Sequence, residues 1–597
     1  MCGFTGALSF NQIDINELIK ANKCVECRGP DSLKTTSIET GKANSYFVFN
    51  RLAILDLSTK ADQPMHSDKF KTSLMFNGEI FNHSELRAEL KSKGLKFKTS
   101  HSDTETVLTG LSFYGMEFVK RLRGQFSIFF VDEKINKAYF IRDRLGQKPL
   151  YYSHDSLSIF FGSNLKSITK MQNTYELSEE GVNKYLKYGI VKSPNSIIKN
   201  IFKVQPGQIV EVDFNNSKFN IKTSFYWLPE DFIDNKEFDV ENFYSLLSES
   251  IQIRREADVP IANFLSGGID STSIVKNLHD NGLEINTFSI YVDNEKYDES
   301  NYIKEVVKKY QTNHKFVKIS SRINNENIFE GLKSLDEPYF DPSVIPSYII
   351  SKEISKYYKV AISGDGGDEL LGGYERTINN LKKKSVFQNI FSNIYYLYPP
   401  IFGSGNKFLK NSNNVEKNFR SFIEDNKLLS LLNIKSGDYD FANNLNSGHS
   451  IYKNLLIADY KFYLSEMMMF KVDRTSMANS LEVRSPFVDH KLIEYILSTN
   501  NEYLDLNHSK KLLKNYLYND FSENFINRPK KGFVFDVENW VYNNIDFIDD
   551  VINQGKVVKS MNKNILKNLS INKSRINGIR IWKLFVLESY LLDLKRF

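Results

Sequence analysis

With 597 residues, 41% of them hydrophobic and 25% charged, the chain has an ordinary globular composition and is too long to fold around a single core. Its formal net charge of +6 comes from 78 basic and 72 acidic residues mixed along the sequence, which suits anionic small substrates and gives no basis for a nucleic-acid partner. The chain contains no apolar run of about 18 residues, so we expect no membrane insertion.

The N-terminus favours a cytoplasmic enzyme, since it lacks the basic and apolar regions of a signal peptide and the chain has too few cysteines for a disulfide framework. Cys24 and Cys27 have the spacing of a redox or metal pair, but no second pair accompanies them, and we interpret them as incidental thiols. Cys2 differs from both. Removal of Met1 would leave a thiol and an α-amino group on one residue, and this amine, with a pKa of about 7.7–8.0, can accept the thiol proton.

Several polar residues further along suit a site for free glutamine, whose α-carboxylate and α-ammonium require one fixed cation and one fixed anion. Arg51, after a strand-like run, and Asp103, at the start of a predicted helix, can supply them. The sequence 102–105 predicts a capping box at the beginning of that helix. The side-chain amide of Asn77 and the backbone N–H of Gly78 suit an oxyanion hole for a tetrahedral intermediate.

These residues lie in motifs that together resemble a class II glutamine amidotransferase domain. The matching stretches are Met1-Cys2-Gly3, Arg28-Gly-Pro-Asp31, Arg51-Leu-Ala-Ile-Leu-Asp56, Phe76-Asn-Gly-Glu79, Ser102-Asp-Thr-Glu105 and Arg142-Asp-Arg-Leu-Gly-Gln-Lys-Pro-Leu-Tyr-Tyr152. The resemblance implies an α+β N-terminal-nucleophile αββα sandwich over residues 2–210. Strand-like runs at 125–131 and 137–141 fit two stacked antiparallel sheets.

By this resemblance Cys2 is the nucleophile that forms a γ-glutamyl thioester, while Asn77 and Gly78 hold the oxyanion. The residues implied to bind glutamine are Arg51, Asn77, Gly78, Glu79 and Asp103. One departure stands out, because many relatives carry a histidine before Arg-Gly-Pro-Asp where this chain has Cys27.

Residues 206–239 are polar with short β-like runs, and we interpret them as the exit from the first domain and a linker. Apolar residues at helical spacing over 240–256 then lead into a second domain, predicted over 235–597. Buried strands alternate there with helices, the pattern of an α/β doubly wound parallel sheet with ligands at the strand C-terminal ends. The predicted strands lie at 259–265, 284–290 and 359–363, and the helices at 273–281, 301–310 and 348–357.

The loop from Ser266 to Ser271, Ser-Gly-Gly-Ile-Asp-Ser, follows the first of these strands and opens a helix, so backbone N–H groups and a positive dipole end face an anion. It does not end in Gly-Lys-Ser/Thr and is therefore not a Walker A loop. It resembles the pyrophosphate loop of enzymes that split ATP into AMP and pyrophosphate. An ordinary βα turn would not explain the adjoining aspartate and hydroxyls.

A second glycine-rich turn, from Ser363 to Tyr374, follows the strand at 359–363. Mg²⁺ prefers a few carboxylates together with phosphate oxygens, so Asp270 and Asp368, one from each loop, are the predicted metal ligands. A flexible glycine loop whose acids only cap a helix would account for Asp368, but not for the recurrence of Ser-Gly-x-Gly.

Together the two loops resemble the ATP-pyrophosphatase-type synthetase domain of glutamine-dependent asparagine synthetase. Further matches at 472–487 and 528–533 extend the resemblance over nearly the whole chain, except for 377–452, which we interpret as a variable helical insertion. The residues implied to bind ATP are Leu265, Ser266, Gly267, Gly268, Asp270, Ser271, Ile290, Ser363 and Gly364.

Four residues of this half carry separate expectations. Asp365 takes the place of a glutamate linked to acyl-adenylate formation, and Lys530 matches a lysine that neutralises charge developing on the pyrophosphate. Ile290 would line an adenine pocket or serve as a plain core residue. Arg484 is left open between a contact to the acceptor and a structural role.

The combined resemblance predicts a carbon–nitrogen ligase of asparagine biosynthesis that uses glutamine, ATP and Mg²⁺. It would convert aspartate to asparagine through an acyl-AMP, with ammonia carried in an internal passage and with release of AMP, pyrophosphate and glutamate. The alternative is the same chemistry on another carboxylate, such as a uronic acid of a surface polysaccharide. A glutaminase with a scaffolding second half is a rival that the intact loop 266–272, Asp368 and Lys530 disfavour. A homodimer is a family expectation.

Overall fold

The computed structural model describes residues 2–39, 42–172, 174–292, 298–319, 324–381, 419–420, 422–435, 450–500, 509–528 and 535–596. Lys530 and most of the stretch 377–452 lie outside these residues. Within the described ranges, no helix combines the length and the apolar character needed to span a membrane.

The first part of the chain folds into two six-stranded antiparallel sheets. The strands are β1 Cys2–Ser9, β2 Ser32–Glu39, β3 Asn44–Arg51, β4 Met65–Ser67, β5 Thr72–Ile80, β6 Gly124–Asp132, β7 Lys137–Arg142, β8 Tyr151–His154, β9 Ser158–Gly162, β10 Ile201–Lys203, β11 Gln208–Asp213 and β12 Asn220–Phe225. The first sheet has the order β10-β8-β9-β1-β3-β2 and the second the order β12-β11-β7-β6-β5-β4. The pairings within both sheets are antiparallel.

Aromatic side chains fill the space between these two sheets. Phe129 of β6 stacks on Phe161 of β9 with ring centroids 4.0 Å apart, and Phe140 of β7 meets the same ring edge-on at 5.2 Å. Helices cover the outer faces, with α1 Ile15–Asn22 and α4 Leu165–Met171 on the first sheet and α2 His83–Ser92 and α3 Asp103–Tyr114 on the second. β1 and β5 are buried along their whole length because both of their faces are covered. The predicted αββα sandwich is therefore confirmed.

The predicted linker over 206–239 is wrong for its first part. Residues Gln208–Asp213 and Asn220–Phe225 form β11 and β12, and β11 pairs with β7 from Ile209 opposite Ile141 onward. The backbone N–H and C=O groups of these two segments therefore form hydrogen bonds with neighbouring strands of the second sheet. In a linker the same groups would have to bond to water. The chain leaves this sheet only after Phe225 and then forms a short 3₁₀-helix, Pro229–Phe232.

The second part of the chain is built on a five-stranded parallel sheet. Its strands are β13 Ile261–Phe264, β14 Asn286–Val292, β15 Asn313–Ile319, β16 Val360–Ile362 and β17 Glu482–Arg484. They lie in the order β15-β14-β13-β16-β17, and all their pairings are parallel, which confirms the predicted doubly wound sheet. The strand order reverses between β13 and β16, and open α/β sheets bind ligands at the strand C-terminal ends of such a switch point.

Helices surround this sheet and form a further layer beyond it. Up to residue 381 they are α5 Glu179–Tyr188, α6 Val240–Ile253, α7 Ile269–Asp280, α8 Ser300–Tyr310, α9 Asn325–Lys333, α10 Val344–Ile354, α11 Gly367–Leu370 and α12 Glu375–Leu381. Later in the chain come α13 Asn426–Leu431, α14 Ile451–Ala458, a π-helix Asp459–Met468, α15 Met469–Met477, α16 His490–Ser498, α17 Lys511–Leu517, α18 Glu523–Asn527, α19 Val537–Asn543, α20 Ile545–Gly555, α21 Val557–Met561, α22 Ile565–Ile571 and α23 Arg575–Arg596. Trp582 of α23 is fully buried and packs edge-on against Trp540 at 5.6 Å.

Buried ion pairs join the two halves of the chain. Arg28 forms a two-pronged pair with Asp473, at 2.8 and 3.0 Å, and Lys148 lies 3.4 Å from the same carboxylate. Arg123, next to β6, pairs with Asp489 at 2.9 Å. Because these charged groups are buried and have lost their hydration, each one depends on its partner for stabilisation. The pairs therefore hold the sandwich and the parallel-sheet half in a defined relative orientation.

Candidate active sites

Cys2 opens β1 in the interior of the sandwich. It lies opposite Arg51 in the pairing of β1 with β3, and only 6% of its surface is exposed. Its backbone N–H donates to the side-chain oxygen of Asn77 at 3.1 Å, and its carbonyl oxygen accepts from Nε of Arg28 at 3.1 Å. Burial raises the pKa of the Cys2 thiol, so a nearby base must take its proton before the sulfur can attack.

The predicted oxyanion-hole residues, Asn77 and Gly78, lie side by side on β5. Asn77 is fully buried, and its amide nitrogen donates to the Ser127 hydroxyl at 3.5 Å. A Cβ at Gly78 would stand 2.0 Å from the carbonyl oxygen of Gln125 on β6, so only glycine allows the two strands to pair this closely. The fold thus brings both residues together with Cys2.

Arg51 is held from several directions by the segment that follows it. One terminal nitrogen donates to Asp62 at 2.7 Å and to the Ser58 carbonyl at 2.8 Å, and the other donates to the Asp56 carbonyl. The guanidinium is therefore fixed beside Cys2, with its charge partly balanced by Asp62. A carboxylate ligand would share this cation with Asp62.

Glu79 and Asp103 are the buried acids of this site. Asp103 accepts from the backbone N–H groups of Ile80 at 3.1 Å and Thr104 at 2.7 Å. Glu79 lies 3.3 Å from a guanidinium nitrogen of Arg484, which comes from the other half of the chain. Burial raises the pKa of both carboxyl groups, and Asp103 adds to the rise at Glu79. An ammonium ligand between them would offset that penalty.

The predicted capping box at α3 is wrong. Ser102 makes no side-chain capping bond to the helix. The Glu105 carboxylate reaches back to the preceding loop instead, where it accepts from the backbone N–H groups of Lys98 at 2.6 Å and Thr99 at 2.7 Å. Asp103 bonds the Thr104 N–H itself, so one of the exposed donors at the helix start is satisfied without the box.

The segment predicted to be a pyrophosphate loop, residues 266–271, follows β13 and leads directly into α7. Gly267 has φ +73°, a conformation that favours glycine. The Ser266 hydroxyl accepts from the Gly268 N–H at 3.2 Å and lies 3.2 Å from the Ser271 hydroxyl, so the turn is closed by its own side chains. Ser266 itself is exposed, whereas Leu265 is buried beneath it.

The glycine-rich loop after β16 lies directly against the pyrophosphate loop. A Cβ at Gly364 would stand 3.0 Å from the backbone nitrogen of Ser271, and one at Gly367 would stand 2.6 Å from an Asp270 carboxylate oxygen. Both loops leave the sheet at its switch point, which explains their proximity. Ile290 lies half-buried on the neighbouring strand β14.

The ammonium of Lys510 lies between the two predicted metal ligands. Its Nζ is 2.5 Å from Asp270 and 2.6 Å from Asp368. Burial lowers the pKa of this lysine, but the two carboxylates outweigh burial and raise it. Lys510 has no distinctive signal in the sequence beyond the lysine pair with Lys511 at the start of α17.

Two carboxylates that converge on one cation are also a donor set that suits Mg²⁺ with phosphate oxygens. The described residues contain no group of three or more histidine, cysteine or acidic side chains that would hold a metal by themselves. Asp270 and Asp368 therefore fit a metal that phosphate oxygens help to coordinate.

Of the two further residues with a predicted role in adenylate formation or charge neutralisation, the structure describes only one. Asp365 is half-buried in the glycine-rich loop, while Lys530 lies outside the described residues. Arg528, which the sequence analysis quoted only as part of a motif, donates to the Gly267 carbonyl and stacks on Tyr302 at 3.9 Å. Arg528 therefore stabilises the turn at Gly267 through this hydrogen bond.

Comparison with known proteins gives consistent matches for both halves. A family model described as asparagine synthase matches residues 242–591, and one described as a glutamine amidotransferase domain matches residues 1–227. Asparagine synthetase [glutamine-hydrolyzing] 1 of Bacillus subtilis (strain 168) is 28% identical over 98% of this chain and 96% of its own length. Putative asparagine synthetase [glutamine-hydrolyzing] 2 of Methanocaldococcus jannaschii is 34% identical over 64% of this chain and 77% of its own. A solved allosteric regulatory enzyme of purine biosynthesis aligns with 11% identity over 53% of this chain and 80% of its own, with a TM-score of 0.30.

Proposed function

This chain belongs to the glutamine-hydrolysing asparagine synthetase family and is a glutamine-dependent ligase, and we propose that it converts aspartate to asparagine through an acyl-AMP. AMP, pyrophosphate and glutamate would be the other products. One observation carries the proposal: a buried Cys2 at the start of β1 and two adjoining glycine-rich loops after β13 and β16 lie on two halves that buried ion pairs join.

In the first half-reaction, the Cys2 sulfur attacks the glutamine amide and ammonia leaves, after which water cleaves the thioester to glutamate. The α-amino group exposed by removal of Met1 would accept the thiol proton and pass it to the leaving ammonia. Asn77 and Gly78 would hold the oxyanion. Arg51 would bind the α-carboxylate, and Glu79 with Asp103 the α-ammonium, which would offset the repulsion between these two buried acids.

In the second half-reaction, the acceptor carboxylate attacks the α-phosphorus of ATP, and pyrophosphate leaves. Ammonia then displaces AMP from the acyl-adenylate. Backbone N–H groups of the two loops would hold the phosphates, and Lys510 and Lys530 would balance charge that develops on pyrophosphate. Asp365 would act in adenylate formation, and Leu265 and Ile290 would contact adenine.

Mg²⁺ would supply charge neutralisation on the phosphates, held by Asp270 and Asp368. Both carboxylates already share a cation, the Lys510 ammonium, so they are positioned to share another.

Ammonia would cross between the sites inside the protein, because in bulk water it is protonated and lost. Arg28 supports a route along the interface, since its side chain contacts the Cys2 carbonyl and pairs with Asp473 of the second half. The domain limits 2–210 and 235–597, a cytoplasmic location and a homodimer remain predictions.

The acceptor is tested by turnover. Purified protein supplied with glutamine, Mg²⁺ and ATP should release pyrophosphate when aspartate is added, in step with asparagine. The alternative, the same chemistry on a uronic acid, predicts pyrophosphate release with a nucleotide-linked uronic acid. Absence of release with aspartate would overturn the aspartate assignment. A scaffolding second half would gain support if ammonia and ATP gave no amide with any acceptor.

A further inference from the structure

Arg484, at the end of β17, lies between the two proposed sites. The sequence left open whether it faces the acceptor or is structural, and in the structure its side chain reaches Glu79 of the sandwich half. It is fully buried, and one terminal nitrogen lies 3.3 Å from the Glu79 carboxylate. The other donates to the carbonyl oxygens of Arg254 at 2.9 Å and Glu256 at 2.8 Å. The guanidinium is thus anchored in its own half while it contacts the glutamine site.

The contact with Glu79 matters because this carboxylate is costly to keep charged. Burial raises its pKa well above the usual range, Asp103 adds to the rise, and Arg484 opposes it. Glu482 accepts from Nε of Arg484 at 2.5 Å and holds the guanidinium plane in place. An ammonium bound at Glu79 would keep that carboxylate ionised and would therefore strengthen its pairing with Arg484.

The backbone of the same residue holds the ATP loop. The Arg484 carbonyl accepts from the Ser363 N–H at 2.9 Å, and the hydroxyls of Ser363 and Ser485 are 3.0 Å apart. Ser363 begins the glycine-rich loop, whose Gly364 lies against Ser271 of the pyrophosphate loop. One residue therefore contacts the glutamine-binding acid through its side chain and the ATP loop through its backbone.

We propose that Arg484 is a positioning residue that couples glutamine binding to ATP binding. The inference rests on the proposed function of both sites. Glutamine at Glu79 keeps that carboxylate ionised and strengthens its attraction for Arg484, and β17 passes the effect to Ser363 through the Arg484 carbonyl, so the two bound states favour each other. By linkage, ATP must tighten glutamine binding by the same factor.

The test uses full-length Cys2→Ala protein, which should bind glutamine without hydrolysing it. Calorimetry gives the dissociation constant for Mg-ATP, without acceptor, in the presence and absence of saturating glutamine. We expect glutamine to tighten ATP binding about fivefold, the lower end of typical allosteric couplings. Adding Arg484→Lys should bring that factor close to one while the affinity for Mg-ATP without glutamine stays within about twofold, because lysine lacks the planar fork that spans Glu79 and the backbone carbonyls. Glutamine is kept saturating in the variant, since a changed contact with Glu79 also alters glutamine affinity.

Two further variants separate coupling from general loosening of the interface. Arg123→Lys alters another buried interface arginine, which pairs with Asp489 at 2.9 Å and Glu249 at 2.6 Å, and should leave the factor unchanged. Glu482→Gln removes the charge that holds Nε of Arg484 and should reduce the factor by which glutamine tightens ATP binding. This variant provides the test if Arg484→Lys does not fold. A factor of one in the parent, or a factor kept in both Arg484→Lys and Glu482→Gln, would overturn the inference. A parent that binds neither ligand would overturn the proposed function itself.

Discussion

At the scale of single residues, burial disfavours the charged form of the two groups that matter most, the Cys2 thiol and the Lys510 amine. It raises the pKa of the Cys2 thiol, which disfavours the thiolate, so the nucleophile depends on a neighbouring base. It also disfavours a charged Lys510, but Asp270 and Asp368 outweigh burial and keep this lysine protonated. The proposed first site thus requires a proton transfer, whereas the proposed second site holds a fixed positive charge.

Replacement of the nucleophile should separate the two half-reactions. We expect Cys2→Ala to reduce glutamine-dependent amide formation about a thousandfold or more, because no thioester can form. Ammonia-dependent formation should stay within about twofold, since the ATP loops are untouched. Amide and pyrophosphate are measured with glutamine or ammonium chloride as nitrogen donor. Cys27→Ala, at an exposed thiol, is the matched control, and glutamine-dependent product from Cys2→Ala would contradict the assignment.

Removal of the ammonium between the carboxylates should affect only the second site. Lys510→Met would remove one of the positive charges beside Asp270 and Asp368, so the two carboxylates would repel ATP phosphates more strongly even with Mg²⁺ present. Pyrophosphate release should fall about a hundredfold, or about 2.7 kcal/mol of transition-state stabilisation, with glutaminase turnover within about twofold. Lys511→Met, at the exposed neighbour, should leave both rates unchanged. An equal fall in both variants would show that Lys510 has no specific role.

At the scale of elements, the position of each site follows from how strands pair. The pyrophosphate and glycine-rich loops meet because β13 and β16 are neighbours at the point where the strand order reverses. Cys2, Arg51 and Asn77 meet because β1 pairs with β3 while β5 packs beneath them in the facing sheet. These elements are rigid, which suits chemistry that requires small, fixed distances.

Gly78 tests this dependence on close strand pairing. Gly78→Ala would place a Cβ 2.0 Å from the Gln125 carbonyl oxygen, so β5 and β6 must separate. We expect a loss of about 3 kcal/mol of stability and a clear drop in glutaminase turnover, measured by thermal denaturation and glutamate release. Gly94→Ala, at a left-handed glycine where a Cβ meets no atom within 4 Å, should cost only about 1 kcal/mol and leave turnover intact. Equal losses would refute the steric explanation.

At the scale of the whole molecule, the interface depends on buried charge. Burial opposes ionisation of Asp473, but Arg28 and Lys148 outweigh burial and hold its pKa well below the usual range. The same balance holds for Asp489 with Arg254 and Arg123. Such pairs are costly to break, because removal of one partner leaves the other charge buried alone.

The pH dependence of stability should reveal Asp473. Its folded pKa lies below the unfolded value of about 3.9, so its stabilising effect is complete above that value and is lost as pH falls through the folded pKa. We expect Asp473→Asn to lose about 3–5 kcal/mol at pH 7 and to show a shallower fall in melting temperature between pH 5 and pH 3. Asp31→Asn, in a partly exposed interface pair with Lys359, should cost less than about 1 kcal/mol. A fall as steep as in the parent would contradict this role.

The local signals in the sequence were sufficient to predict both folds and the two glycine-rich turns that follow β13 and β16, because glycine turns, strand runs and motif spacing act over a few residues. The roles of these loops and of the glutamine-site residues stay predictions. Short-range patterns also misled, since β11 and β12 lie in a largely polar stretch that was interpreted as a linker and the capping box at α3 is replaced by other hydrogen bonds. What a strand run pairs with cannot be read from the run itself.

Only the tertiary structure decided which distant residues complete the sites. Lys510 meets Asp270 across 240 residues, and Arg484 meets Glu79 from the opposite half of the chain. Neither contact has a local signal, because a lysine pair or a buried arginine looks the same in sequence whatever carboxylate it finds. The local sequence determined where each loop and strand begins, whereas the path of the whole backbone determined which charges meet.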